Sequence, residues 1–168
     1  MFPTLLKKVD MEEERKFKAL GSKDDLLPLS SQNISVIEVG AYSHIFELFI
    51  DFIGVKTLII TDLDAVDEDD AKCKVAEGVN YSNDALNFFF NGCSLNDLKG
   101  YTLDDKIFSK QGGNWINDRL GSLCIVYQIE ENGVNARSFE DAFIEINKDF
   151  ISNKKYEFKG IKNRPFFD

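Results

Sequence analysis

Residues 34–70 read ISVIEVGAYSHIFELFIDFIGVKTLIITDLDAVDEDD, and this stretch decides the fold. Ile34 to Val39 and Thr57 to Ile60 are short apolar runs, mostly β-branched, without the polar alternation of a half-exposed strand. Both are therefore predicted as strands of a sheet buried on two faces. Between them Ile45, Phe46, Leu48, Phe49, Ile50, Phe52 and Ile53 recur at helical spacing, and Gly54 stands where a left-handed residue ends a helix. The result is a βαβ unit with a right-handed crossover. Asp62 and Asp64 lie at the carboxyl end of its second strand, where ligand crevices open in such sheets. The predicted class is α/β, a mostly parallel sheet flanked by helices.

Asp62 and Asp64 are two residues apart, so in a turn leaving the strand their carboxylates can converge on one cation. Carboxylates held that close repel unless a proton or a metal lies between them, and an all-oxygen donor set suits Mg²⁺ or Mn²⁺. The plain alternative is a solvated acidic exit from the strand. The run Asp67-Glu68-Asp69-Asp70 behind them is most simply a solvated loop, and no ligand role is assigned to it.

Working outward, residues 1–20 are helical, with Phe2, Leu5, Leu6 and Val9 as an apolar stripe, and 21–33 is a loop by composition. Ser82 or Asn83 caps a helix containing Ala85, Leu86, Phe88, Phe89 and Phe90. A short helix follows near 94–105, capped by Ser94 or Thr102. Gln111-Gly112-Gly113-Asn114 is a turn, Leu123 to Ile129 a strand, and Asn132-Gly133 a reversal signal. Ser138 caps a helix from Phe139 to Asn147 whose first turn holds Glu140 and Asp141, where the helix dipole favours acids with or without a metal. Arg137 beside them is placed either to clamp a phosphate or to pair with Glu140. His44 follows the glycine turn, near enough to a strand end to approach a phosphate; a helix-start residue with a satisfied ring is the plainer reading. The segment 151–168 is basic and aromatic, with Lys154, Lys155, Lys159, Lys162 and Arg164 among Tyr156, Phe158, Phe166 and Phe167. That mixture suits a nucleic-acid strand, or else packs its aromatics back on the domain.

A chain of 168 residues supports a single domain, with 1–33 as N-terminal helix and loop, 34–150 as core and 151–168 as tail. A net charge of −9 argues against a nucleic-acid coat protein, whose footprint is a basic patch. Three cysteines without C-x-x-C spacing point to a reducing, cytoplasmic setting. No apolar window is long enough to span a membrane.

The strings ISVIEVGAYSHIF, TLIITDLDAV, CKVAEGVNYSNDALNFFF and YQIEENGVNARSFEDAFIEIN together resemble the C-terminal nuclease part of the OLD (overcoming lysogenization defect) family of ATP-dependent endonucleases, a Toprim (topoisomerase-primase) domain. The resemblance implies a Toprim-like sheet and a metal-dependent site that cuts DNA. In it Asp62 and Asp64 match the family's D-x-D, and Glu140 matches a further acidic ligand, with Mg²⁺ or Mn²⁺ as cofactor. It implies DNA and an ATPase part as partners, with a homodimer as a further expectation.

The sequence departs from the family pattern at several points. The glutamate motif of the family's first strand precedes a helix like Pro3 to Asp10, and here the sequence begins at that helix. Glu38 falls in the block that matches the family's second strand, with Ala41 where a second glycine is common. No Walker-type G-x-x-x-x-G-K-[ST] is present, so the ATPase half is not in this sequence. None of the tail lysines matches the family lysine that follows the SFED block. The expectation is a weakly active or inactive nuclease piece, or a non-catalytic Toprim remnant that binds a protein partner.

Overall fold

A computed structural model describes residues 2–21, 27–131 and 133–153. The chain divides into two compact units, Met1–Glu38 and Val39–Asp168.

In the first unit, helix α1 (Phe2–Leu20) carries the predicted helical segment. Asp10 anchors the chain beyond it: its two carboxylate oxygens accept from the amides of Leu29 and Ser30 at 2.6 and 2.9 Å, which fixes a 3₁₀ turn over Leu29–Ser31. The strand predicted over Ile34 to Val39 does not form. These residues are irregular and pair with no strand among the described residues, and Val36 and Ile37 are 56% and 61% exposed. A β-branched run becomes a strand only where another edge completes its hydrogen bonds, and none does so here. The βαβ unit is corrected accordingly.

The second unit opens with a 3₁₀ helix over Gly40–Phe46 that leads into α2 (Glu47–Ile53). Gly54 closes α2 at φ +64°, its amide bonded to the Ile50 carbonyl at 3.1 Å, as the spacing required. Strand β1 (Thr57–Ile60) follows, then the two-residue strands β2 (Ala65–Val66) and β3 (Asn80–Tyr81), which pair antiparallel. Helices α3 (Asp84–Phe89) and α4 (Leu95–Gly100) precede strands β4 (Ile107–Gln111), β5 (Asn114–Asn117) and β6 (Leu123–Val126). Helices α5 (Phe139–Ile146) and α6 (Lys148–Ser152) complete the described chain. The basic aromatic stretch 154–168 and Asn132 lie outside the described residues.

The α/β sheet has strand order β1-β6-β4-β5. The sheet expected to be mostly parallel is mixed: β1 pairs parallel with β6, whereas β4 pairs antiparallel with both β6 and β5. The reason is local. Gly112 and Gly113, at φ +57° and +87°, form a two-residue turn that can only return the chain antiparallel, making β4 and β5 a hairpin.

One face of the sheet, carrying Ile59, Leu123 and Ile125, joins Leu86, Phe89, Phe90 and Leu98 of the helices and Phe108 in a single core. The opposite face leaves Leu58 and Ile60 exposed. Along α2 only Ile50 is buried, and Phe52 is 88% exposed. The wide apolar face predicted for this helix is largely open. Among the described residues no helix is long and apolar enough to cross a membrane.

Candidate functional site

Parallel pairing sets what lies beside the two aspartates. Thr57 is opposite Leu123 and Ile60 opposite Val126, and the ladder continues one step through the Thr61 amide to the Val126 carbonyl at 3.0 Å. The same register places Gln128 across from Asp62. Both strands therefore end at one rim, and the segments that follow them meet there.

Leu63, fully buried, anchors the exit from β1 in the core, and the acids on either side of it stay partly exposed. Asp64 has φ +51°, so the chain turns there instead of continuing as a strand. Its carbonyl accepts from the amide and hydroxyl of Ser82 at 3.0 and 3.3 Å. Asn83, 1% exposed, caps α3 by accepting from the Leu86 amide at 3.1 Å. Its Nδ2 reaches back to Thr61 Oγ1 at 2.8 Å, the Asp62 carbonyl at 2.9 Å and Asp64 Oδ2 at 3.4 Å.

The third acid arrives from far along the chain. Ser138 caps α5 as predicted, its hydroxyl accepting from the Asp141 amide at 3.2 Å. The first helical amide, that of Phe139, donates to Asp62 Oδ1 at 3.1 Å. This bond brings Glu140 into the electrostatic surroundings of Asp62. Burial pushes the Asp62 carboxyl above its ordinary range, with Asp64 and Glu140 adding to the rise; the Phe139 amide and Gln128 oppose it without cancelling it. Arg137 is ion-paired with Asp64, a contact that neither of its two expected roles named. Its Nη2 lies 3.6 Å from Asp64 Oδ1, and its Nε is buried without a hydrogen-bond partner, as is the Oδ1 of nearby Asn135.

The donor set is all oxygen, and like charges crowd Asp62, which is the chemistry a hard divalent cation relieves. As the side chains stand, no group of three or more His, Cys, Asp or Glu among the described residues is set to hold a metal ion. Asp62 Oδ1 is taken by Phe139 and Gln128, and Asp64 faces Arg137 and Asn83. Cation binding at this rim would thus require the Arg137 contact to open.

His44 stands apart in its contacts. Its ring packs against Phe88 of α3 at 5.7 Å and Tyr42 at 6.3 Å, but its Nδ1 is buried without a hydrogen-bond partner among the described residues, so the satisfied ring of the plainer reading is not what is found. The acidic run behaves as a turn, Asp67 Oδ1 accepting from the amides of Asp69 and Ala71 at 3.0 and 2.9 Å. A cleft of about 740 Å³, lined by Glu47, Phe88, Phe108 and Trp115 among others, includes none of the three acids.

No protein-family model matches the chain, and neither the curated proteins nor the solved structures contain a significant match to it.

Gln128 was not singled out by the sequence; Asn83 was a candidate cap in a block, Glu77 to Asn83, for which the family resemblance also left a substrate-side role open. The one signal for Gln128 is that it is the first polar residue after the apolar run of β6; its meaning depends on the parallel register.

Proposed function

We propose that this chain is a Toprim-type nuclease module of the OLD kind, in which Asp62, Asp64 and Glu140 hold Mg²⁺ or Mn²⁺ and the substrate is a DNA phosphodiester. The observation that carries the proposal is the Asp62–Phe139 bond, which joins residues 77 positions apart and brings Glu140 into the electrostatic surroundings of Asp62. A divalent ion bound there supplies an activated water and neutralises charge on the leaving oxygen. The chain's own residues do the rest. The Phe139 amide and Gln128 orient Asp62, and Asn83 steadies the turn that presents Asp64. Arg137, with an uncommitted Nε, moves from Asp64 to a phosphate oxygen, a target its planar fork matches.

Activity of this chain is expected to be weak, because a net charge of −9 opposes a DNA backbone. ATP coupling, with no Walker motif here, would come from an ATPase part or subunit of the same family. The test is incubation of the full chain with supercoiled plasmid and Mn²⁺ or Mg²⁺, beside calorimetric titration of Mn²⁺. Cation binding lost in both Asp62→Asn and Asp64→Asn, with slow nicking lost in the same variants, supports the proposal. Unchanged binding in both variants sinks it.

A second reading, a non-catalytic Toprim remnant that binds a protein, is favoured by a different observation: Leu48, Phe49 and Phe52 of α2 and Leu58 and Ile60 of β1 are exposed. Absence of cation binding together with a stable dimer in sedimentation would support that reading.

A further inference from the structure

We infer that Gln128 is the positioning residue that assembles this site, joining the end of β1 to the start of α5 so that Glu140 and Arg137 face the aspartates. The inference rests on reading Asp62, Asp64 and Glu140 as a cation site. One side chain makes three bonds to three segments. Its Oε1 accepts from the Leu63 amide at 3.1 Å, its Nε2 donates to Asp62 Oδ1, and the same Nε2 donates to the Arg137 carbonyl at 3.2 Å.

Each bond has a separate consequence. The Leu63 bond prolongs the β1–β6 ladder past the last strand residue, with the side chain standing in for backbone. The Asp62 bond fixes the carboxylate rotamer, leaving Oδ2 without a hydrogen bond to the residues that bind Oδ1. The Arg137 bond holds the chain one residue before the Ser138 cap, and so sets where the Phe139 amide and the first turn of α5 begin. No backbone ladder links α5 to β1 among the described residues. The polar link between them is the Phe139–Asp62 bond, and Gln128 touches both of its sides. An amide suits the task because it donates and accepts at once. Methionine, of similar length, does neither.

The experiment uses the full chain and two readouts. Without metal, residue-resolved amide exchange in Gln128→Met is expected to speed the Phe139 amide by about tenfold, the loss of one hydrogen bond's protection, while the β6 amides stay protected. Unchanged exchange at Phe139 overturns the inference. With Mn²⁺, Gln128→Met is expected to weaken binding by about 10- to 100-fold, the usual effect of removing a partner that orients a ligand. In that background Glu140→Gln should have no further effect, whereas Asp64→Asn still weakens binding. A merely structural role would lower affinity without silencing Glu140, so an undiminished Glu140→Gln effect in Gln128→Met also overturns the inference. Failure of the wild-type chain to bind Mn²⁺ would instead overturn the cation reading, and the metal-free exchange would still decide the positioning role. Should Gln128→Met not fold, Gln128→Asn provides the same contrast, since its amide is one methylene too short to span all three partners.

Discussion

Replacing Asn83 tests whether the rim around Asp62 is a built feature or an incidental one. Its side chain is 1% exposed and serves two sides: Oδ1 caps α3, and Nδ2 satisfies Thr61 Oγ1 and the Asp62 carbonyl. Asn83→Ala removes the cap, about 1 kcal/mol, and leaves those two acceptors without their donor, about 1–3 kcal/mol, for a total of about 2–4 kcal/mol. In a unit of this size that lowers Tm by about 5–15 °C. Asn83→Ser keeps a capping oxygen but cannot reach Thr61, so it should recover about 1 kcal/mol of the loss. Asn83→Asp also keeps the cap, yet it replaces a donor with a charge beside Asp64. It should be destabilised without cation and partly restored by Mn²⁺. Urea melts of the three variants, with and without Mn²⁺, measure all of this. An Asn83→Ala variant within about 0.5 kcal/mol of wild type would refute the reasoning, since that is the scatter of an ordinary surface substitution.

Three further outcomes are expected. The Asp62 carboxyl is raised by burial, so folding favours its protonated form; that contribution is complete below the unfolded carboxylate's pKa and is lost as pH rises through the raised value. Asp62→Asn should therefore be more stable than wild type at neutral pH, a gain that shrinks on acidification, as urea midpoints across a pH series will show. At Gly121 an added Cβ would lie 2.0 Å from the Phe108 carbonyl oxygen, where β4 and the approach to β6 cross. Gly121→Ala should cost about 3 kcal/mol or more in thermal melts. Gly54→Ala, with open space but φ +64°, should cost only about 1 kcal/mol.

Much of this fold was legible because its signals are local. Gly54 ending α2, Ser138 capping α5 and the Gly112-Gly113 hairpin each need only a few neighbouring residues, and each is found where the residue chemistry puts it. The Ser94 cap is also local, completed as a capping box by Asp97. Strand identity at Ile34 to Val39 was not legible, because a six-residue run with four apolar residues cannot reveal whether a partner edge exists. Thr57 to Ile60, of similar composition, became a strand because β6 offers it one. Gln128 was hidden for the same reason: nothing near it in sequence says that Asp62 will stand opposite, and only the parallel register does.

A purely structural explanation of the rim can be pressed a certain distance. Asp62 accepting from the Phe139 amide acts much as a capping carboxylate at a helix start, and that alone would justify an acid there. It does not explain the rest. A cap gains nothing from a second carboxylate two residues on, held in a left-handed conformation that costs an L-residue about 1 kcal/mol. Nor does it gain from Glu140, whose charge raises the Asp62 carboxyl against the capping bond. Arg137 does not resolve the crowding either. It stands 3.6 Å from Asp64, with its Nε buried and unbonded, while Asp62 is left without a cationic partner among the described ion pairs. Three acids and an underused guanidinium around a rim held by Asn83 and Gln128 form an arrangement that folding alone does not require. A divalent cation with a phosphate would satisfy the acids and the arginine together.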